Sequence, residues 1–212
     1  MSRTIVNRNI VLLPPQSVAV EAIRQSHAIA DVCAVNFRLN DTDMWTHISL
    51  HQLALPEDKL HQLRQIVSDI VEKAARCQVT MGNYSLFGET GVFWDVEKTS
   101  SGLKSLHNEL VRRIDPVREG YIMVQHRDFL TEAVDIGAER RVSLGRWGNP
   151  LAMDTFWPHI TLTSCKSPAD ARAAIRVLDK TPMSFEAISL HLAEVGPNGT
   201  CPGSLREFKF RG

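Results

Sequence analysis

Two of the eight histidines in this chain sit in matching surroundings. The segments are Trp45-Thr46-His47-Ile48-Ser49-Leu50 and Trp157-Pro158-His159-Ile160-Thr161-Leu162, and both run histidine, apolar, hydroxyl, apolar in strand-like sequence. Side chains alternate across a strand, so His47 and Ser49 share one face and Ile48 and Leu50 the other. The same holds for His159 with Thr161 against Ile160 with Leu162. Each segment can therefore bury its aliphatic face and present an imidazole and a hydroxyl opposite. An imidazole titrates near neutrality and can take or give a proton at working pH. A hydroxyl two residues along can donate to a non-bridging phosphate oxygen and stabilise developing charge. Two such units face to face would put a base on one side of phosphorus and an acid on the other, as in-line displacement at a phosphodiester requires.

The elements that must position these groups follow from pattern. A short β-branched strand at residues 9–13 stops at Pro14-Pro15, and Ser17 can cap a helix carrying Val18, Val20, Ala22 and Ile23. Strands are expected at 34–39 and at 44–53, the latter holding the first motif. Pro56-Glu57-Asp58 opens the clearest helix, with Leu60, Leu63, Ile66, Val67, Ile70, Val71 and Ala74 at helical spacing. Strands at 79–87 and 91–96 flank a glycine turn, and a helix runs from Ser101 through Leu103, Leu106, Leu110 and Ile114. Residues 115–155 read as an elaborated, partly loop-like insertion with a short helix near 127–135. A strand at 156–164 carries the second motif, followed by a helix at 168–178 and closing strands at 183–195 and 205–210. No short-period repeat and no low-complexity linker divides the chain, so 1–212 reads as a single domain.

Bulk properties narrow the classes. Lysine plus arginine and aspartate plus glutamate are both 24, for a formal net charge of zero, which argues against coating long duplex DNA. A small or single-stranded substrate in a local groove stays compatible with that balance. The four cysteines, Cys33, Cys77, Cys165 and Cys201, are scattered and read as free thiols of a cytoplasmic protein. No signal-peptide pattern opens the chain, and no apolar run approaches the roughly 20 residues needed to span a bilayer, so no membrane role is expected.

Secondary candidates for substrate contact are weaker. His51 continues the face of His47 and Ser49, as a contact or a polar rim. Tyr84 and Phe87 could stack on a base or fill the core, and Trp157 could line a cleft or pack inside. Arg140, Arg141 and Arg146 form the best basic cluster for phosphate, with Arg146 taken as the binding candidate and a solvated loop as the plain alternative. His27, His61, His107, His126 and His191 read as structural.

On its two motifs the chain resembles the 2H phosphoesterase superfamily, with its two H-x-[S/T]-x motifs. Phe156-Trp157-Pro158-His159-Ile160-Thr161-Leu162 is similar to that family's aromatic-x-Pro-His-x-Thr-Leu motif, and the opening strand, proline pair and helix resemble its usual start. The resemblance covers most of the chain outside 115–155. It implies a duplicated α+β fold of two lobes, each an antiparallel sheet backed by helices, with the histidines lining the cleft between. It further implies His47 and His159 as the catalytic pair, Ser49 and Thr161 as phosphate ligands, and no metal or other cofactor. The expected activity is hydrolysis of a 2′,3′-cyclic phosphate or a 2′-5′-linked nucleotide or RNA end by a monomer. RNA end joining, a non-catalytic nucleotide-binding module and a metal site built on the histidines stand as alternatives. Ser49 stands where threonine is common, which keeps the hydroxyl.

Overall fold

A computed structural model describes residues 3–97, 101–130 and 135–211. Eight strands form one antiparallel sheet: β1 (Ile5–Leu12), β2 (Ile48–Pro56), β3 (Cys77–Phe87), β4 (Gly91–Val96), β5 (His159–Ser164), β6 (Met183–Ala187), β7 (Ser189–Glu194) and β8 (Ser204–Lys209). Their order is β6-β3-β4-β5-β2-β1-β7-β8, so the two motif strands lie side by side at the centre. The helices are α1 (Gln16–Val32), α2 (Leu60–Lys73), α3 (Ser101–Arg118), α4 (Val124–Arg127), α5 (Ala138–Trp147) and α6 (Pro168–Arg176).

The fold is α+β, as expected, but its two lobes are halves of one curled sheet. β2 and β5 pair only at Ile48 and Ile160, and the sheet is pinched there. One half, β2-β1-β7-β8, is backed by α2 and α3; the other, β5-β4-β3-β6, is backed by α1 and α6. The apolar faces of these helices and strands make one continuous core that includes Ile48, Leu50, Trp94, Leu110, Ile160 and Leu162. Hydrophobic spacing thus sets which face of each element turns inward.

Several boundaries differ from the sequence reading. Residues 34–39 form no ladder. They fill the gap where β2 and β5 diverge, through a single bridge from Val35 to Cys165 and a bond from the Asn36 amide to the Ser164 carbonyl. The first motif strand begins only at Ile48, because the Trp45 amide donates instead to the Cys201 carbonyl. The expected strand at 183–195 is two strands: β6 pairs with β3, whereas β7 pairs with β1 and β8, and Ile188 between them is exposed. One residue connects opposite halves of the sheet, so the curl must bring the β6 edge close to the start of β7. The arginine- and glycine-bearing stretch in the insertion is helical, not a loop. α5 buries Ser143 and Leu144 and ends on Gly148 in the left-handed region (φ 72°), where glycine carries no steric cost. The short helix expected near 127–135 appears earlier, as α4 and a 3-10 turn at Asp128–Leu130; residues 131–134 lie outside the described residues.

Candidate active site

Both motif strands carry the same irregularity. On β2, Val11 pairs with Ser49 but Ile10 with His51, leaving Leu50 as an extra residue; on β5, Phe93 pairs with Thr161 but Val92 with Thr163, leaving Leu162 extra. A bulge of this kind resets the alternation of side chains along its strand. His47, Ser49 and Gln52 therefore face one cavity, and so do His159, Thr161 and Ser164. The cavity measures about 410 Å³. His51 falls on the other side of the reset, fully buried and away from the cavity, with no hydrogen bond at either ring nitrogen.

Register sets the mutual geometry. Counting one residue outward from the Ile48–Ile160 pair places His47 opposite Thr161 and Ser49 opposite His159. Both imidazoles line the one cavity, near enough for His47 to disfavour a charge on His159.

Each imidazole is anchored in the same way. His47 Nδ1 lies 2.9 Å from the Trp45 carbonyl oxygen, and His159 Nδ1 lies 2.6 Å from that of Trp157. A carbonyl only accepts, so Nδ1 carries the proton and Nε2 keeps its lone pair. His159 also stacks flat on Phe93, with centroids 3.6 Å apart, which fixes its ring plane. Burial pushes the His47 pKa below its ordinary value, against opposing bonds to the Trp45 and Gly199 backbone. Burial pushes His159 down to about 4; its bond to Trp157 opposes this and the nearby His47 adds to it. Both shifts favour the neutral ring at pH 7. Gly199, with φ at 75°, brings its backbone to His47 in a conformation that favours glycine.

The hydroxyl of Ser49 is oriented by a residue outside either motif. Asn9, fully buried on β1, donates from Nδ2 to Ser49 Oγ at 2.8 Å. With a lone pair of its oxygen so occupied, the Ser49 proton is free to point at an anion in the cavity.

The remaining walls are aromatic, aliphatic and amide groups. Phe87, Phe93 and Trp157 form one side, with Trp157 held by a bond from Nε1 to Asp95. Phe129, Leu151, Phe156, Gln125, His126 and Asn149 line it as well, so His126, expected to be structural, reaches the cavity. None of the described lining residues is Lys, Arg, Asp or Glu. Phe87 and Trp157 are the secondary candidates of the sequence reading that this wall contains.

Two other candidates lie elsewhere. Tyr84 donates to the Asp179 carbonyl at 2.7 Å, tying β3 to the stretch after α6, and burial raises its pKa to about 12. Arg146 is exposed and packs over Trp147, because helical spacing on α5 turns it away from the cavity. Phe93, Gln52, Gln125, Phe129 and Asn149 carried no signal at the sequence level, since a bulge or a long-range contact brings each one in. Among the described residues no three His, Cys, Asp or Glu side chains converge as a metal site would require.

A model of the family described as the 2'-5' RNA ligase superfamily matches residues 13–198. Among solved structures, TT0787 of Thermus thermophilus is 17% identical, with a TM-score of 0.62 over 97% of this chain and 98% of that one. E. coli LigT complexed with 3'-AMP is 14% identical, with a TM-score of 0.61 and complete coverage of both chains. The MHV ns2 PDE domain is 16% identical, with a TM-score of 0.53 over 90% of this chain and 99% of its own. No match was found among curated proteins.

Proposed function

The chain belongs to the 2'-5' RNA ligase superfamily, and from that premise we propose a two-histidine phosphodiesterase acting on a 2′,3′-cyclic phosphate or a 2′-5′-linked nucleotide or RNA end. The reading takes residues 1–212 as one catalytic unit whose cleft lies between the halves of the sheet. What carries it is the likeness of the two motifs: each imidazole lines the cavity, each is anchored through Nδ1 to the carbonyl two residues before it, and each has a hydroxyl two residues on. E. coli LigT has been crystallised with phosphate and with 3'-AMP, which agrees with a nucleotide phosphate as ligand.

In this mechanism the diester phosphate lies between the imidazoles. Ser49 and Thr161 donate to its non-bridging oxygens. One histidine, neutral at Nε2, takes a proton from water as the water oxygen attacks phosphorus. The other, protonated at Nε2, gives its proton to the departing ribose oxygen as the P–O bond breaks. Burial opposes that second charge, but a bound phosphate is an anion close by and favours it. The proton thus enters with substrate, and after turnover the two histidines have exchanged roles. No step calls on a metal.

Hydrolysis of 2′,3′-cyclic nucleotides and 2′-5′ oligoadenylates in the presence of EDTA tests the reading. His47→Ala and His159→Ala should each lower kcat by about 10²–10⁴-fold, the usual worth of a positioned acid or base. Full activity in either variant would sink the assignment.

A further inference from the structure

We propose that Arg140 on α5 forms a second phosphate subsite beside the two-histidine centre, so that the preferred substrates carry a further phosphate next to the one that reacts. This rests on the reading of the cavity as a nucleotide site. The guanidinium carbon of Arg140 lies 5.3 Å from the Phe87 ring centroid and 5.1 Å from that of Trp157. Both rings line the cavity, and the Trp157 ring is 6.2 Å from that of His159. Arg140 therefore stands one aromatic ring away from a catalytic imidazole.

Its chemistry suits an anion. A guanidinium held over aromatic faces keeps its in-plane N–H edge for hydrogen bonding, and that fork matches phosphate oxygens in pairs. Arg24, Arg76, Arg113 and Arg118 each pair with a carboxylate. Arg140 has no such partner among the described residues, although it is half-buried and held by two rings. The cavity lining itself holds no lysine or arginine among the described residues, so the imidazoles and hydroxyls serve a single reacting phosphate. A neighbouring phosphate would find its cation at the aromatic wall, in Arg140. The insertion thereby adds a recognition element that neither motif contains.

Affinity measurements separate this subsite from the catalytic reading, because they need no turnover. Wild-type protein at low ionic strength is titrated with adenosine 3′-phosphate and with adenosine 3′,5′-bisphosphate. The bisphosphate should bind about tenfold tighter or more, the worth of one charge-assisted pair, and added salt should shrink that preference. Arg140→Gln should remove most of the preference, with adenosine 3′-phosphate binding reporting that the variant is folded. Arg140→Lys keeps the charge without the planar fork and should retain part of it. Equal affinities in the wild type, or an undiminished preference in Arg140→Gln, would overturn the subsite alone. If Arg140→Gln does not fold, an undiminished preference in Arg140→Lys overturns it. Failure of both nucleotides to bind would overturn the nucleotide reading and this subsite with it.

Discussion

Acidifying a solution of this protein from pH 7 to pH 5 should cost it most of its folding stability. Four imidazoles are responsible. Burial lowers the pKa of His51 from 6.5 to about 3 and those of His107, His126 and His159 from 6.5 to about 4. In the unfolded chain the same groups titrate near 6.5. As pH falls through that value the unfolded state takes up protons that the folded state refuses until about pH 4. Stability is thus complete above about pH 7 and is lost as pH falls from 6.5 toward 4, the direction for a base whose folded pKa is depressed. At pH 5 each group is almost fully protonated when unfolded and about one-tenth or less when folded, so unfolding takes up about three to four protons. The slope is then about 5 kcal/mol per pH unit, and the loss between pH 7 and pH 5 is about 7 kcal/mol. Domains commonly have only about 5–15 kcal/mol to lose. Asp95, whose pKa burial raises, opposes the trend, while His47 and His191, whose pKa values burial lowers, add to it. Urea titrations at half-unit pH steps, followed by tryptophan fluorescence, give the slope directly. An uptake below two protons near pH 5 would refute the reasoning, since it would mean that these rings keep their hydration in the folded state.

Two substitutions probe how the site is held in place. His107 is fully buried, donates from Nδ1 to the Leu50 carbonyl in the β2 bulge at 2.6 Å, accepts the Met153 amide at Nε2 at 2.8 Å, and stacks on Phe156 at 3.8 Å. His107→Phe keeps the stacking but strands a buried carbonyl and a partly buried amide, at about 1–3 kcal/mol each. The melting temperature should fall by about 5–20 °C on the scale of about 2–4 °C per kcal/mol for a chain of this size, and the acid-unfolding slope should lose about one proton. An unchanged melting temperature would show that the bulge needs no such support. Asn9→Ala removes the donor that orients Ser49, and kcat/KM should drop about tenfold with KM little changed. The decisive measurement is the double-mutant cycle. In a Ser49→Ala background Asn9→Ala should cost almost nothing further, and additive losses would show that Asn9 acts by another route.

What could be read from residue order alone is the local chemistry. Histidine, aliphatic, hydroxyl, aliphatic in a strand forces imidazole and hydroxyl onto one face, because strand periodicity is a property of the backbone. Helical spacing from Leu60 to Val71 likewise defined α2 and its buried face. Contacts between distant parts of the chain obey no such local rule. Ile48 meets Ile160 because β2 and β5 are neighbours at the pinch of the sheet. Simple alternation put His51 beside Ser49 in the cleft, and the bulge at Leu50 put Gln52 there instead; a bulge arises from pairing with β1, which the strand's own sequence does not encode. Arg140 and Arg146 were indistinguishable as members of a basic cluster, until the folding of α5 set one against Phe87 and Trp157 and the other against Trp147. The chemistry of each half-site is thus written in four consecutive residues. Their meeting across a cavity, and the groups that surround them there, depend on strand pairing and helix placement that only the assembled chain supplies.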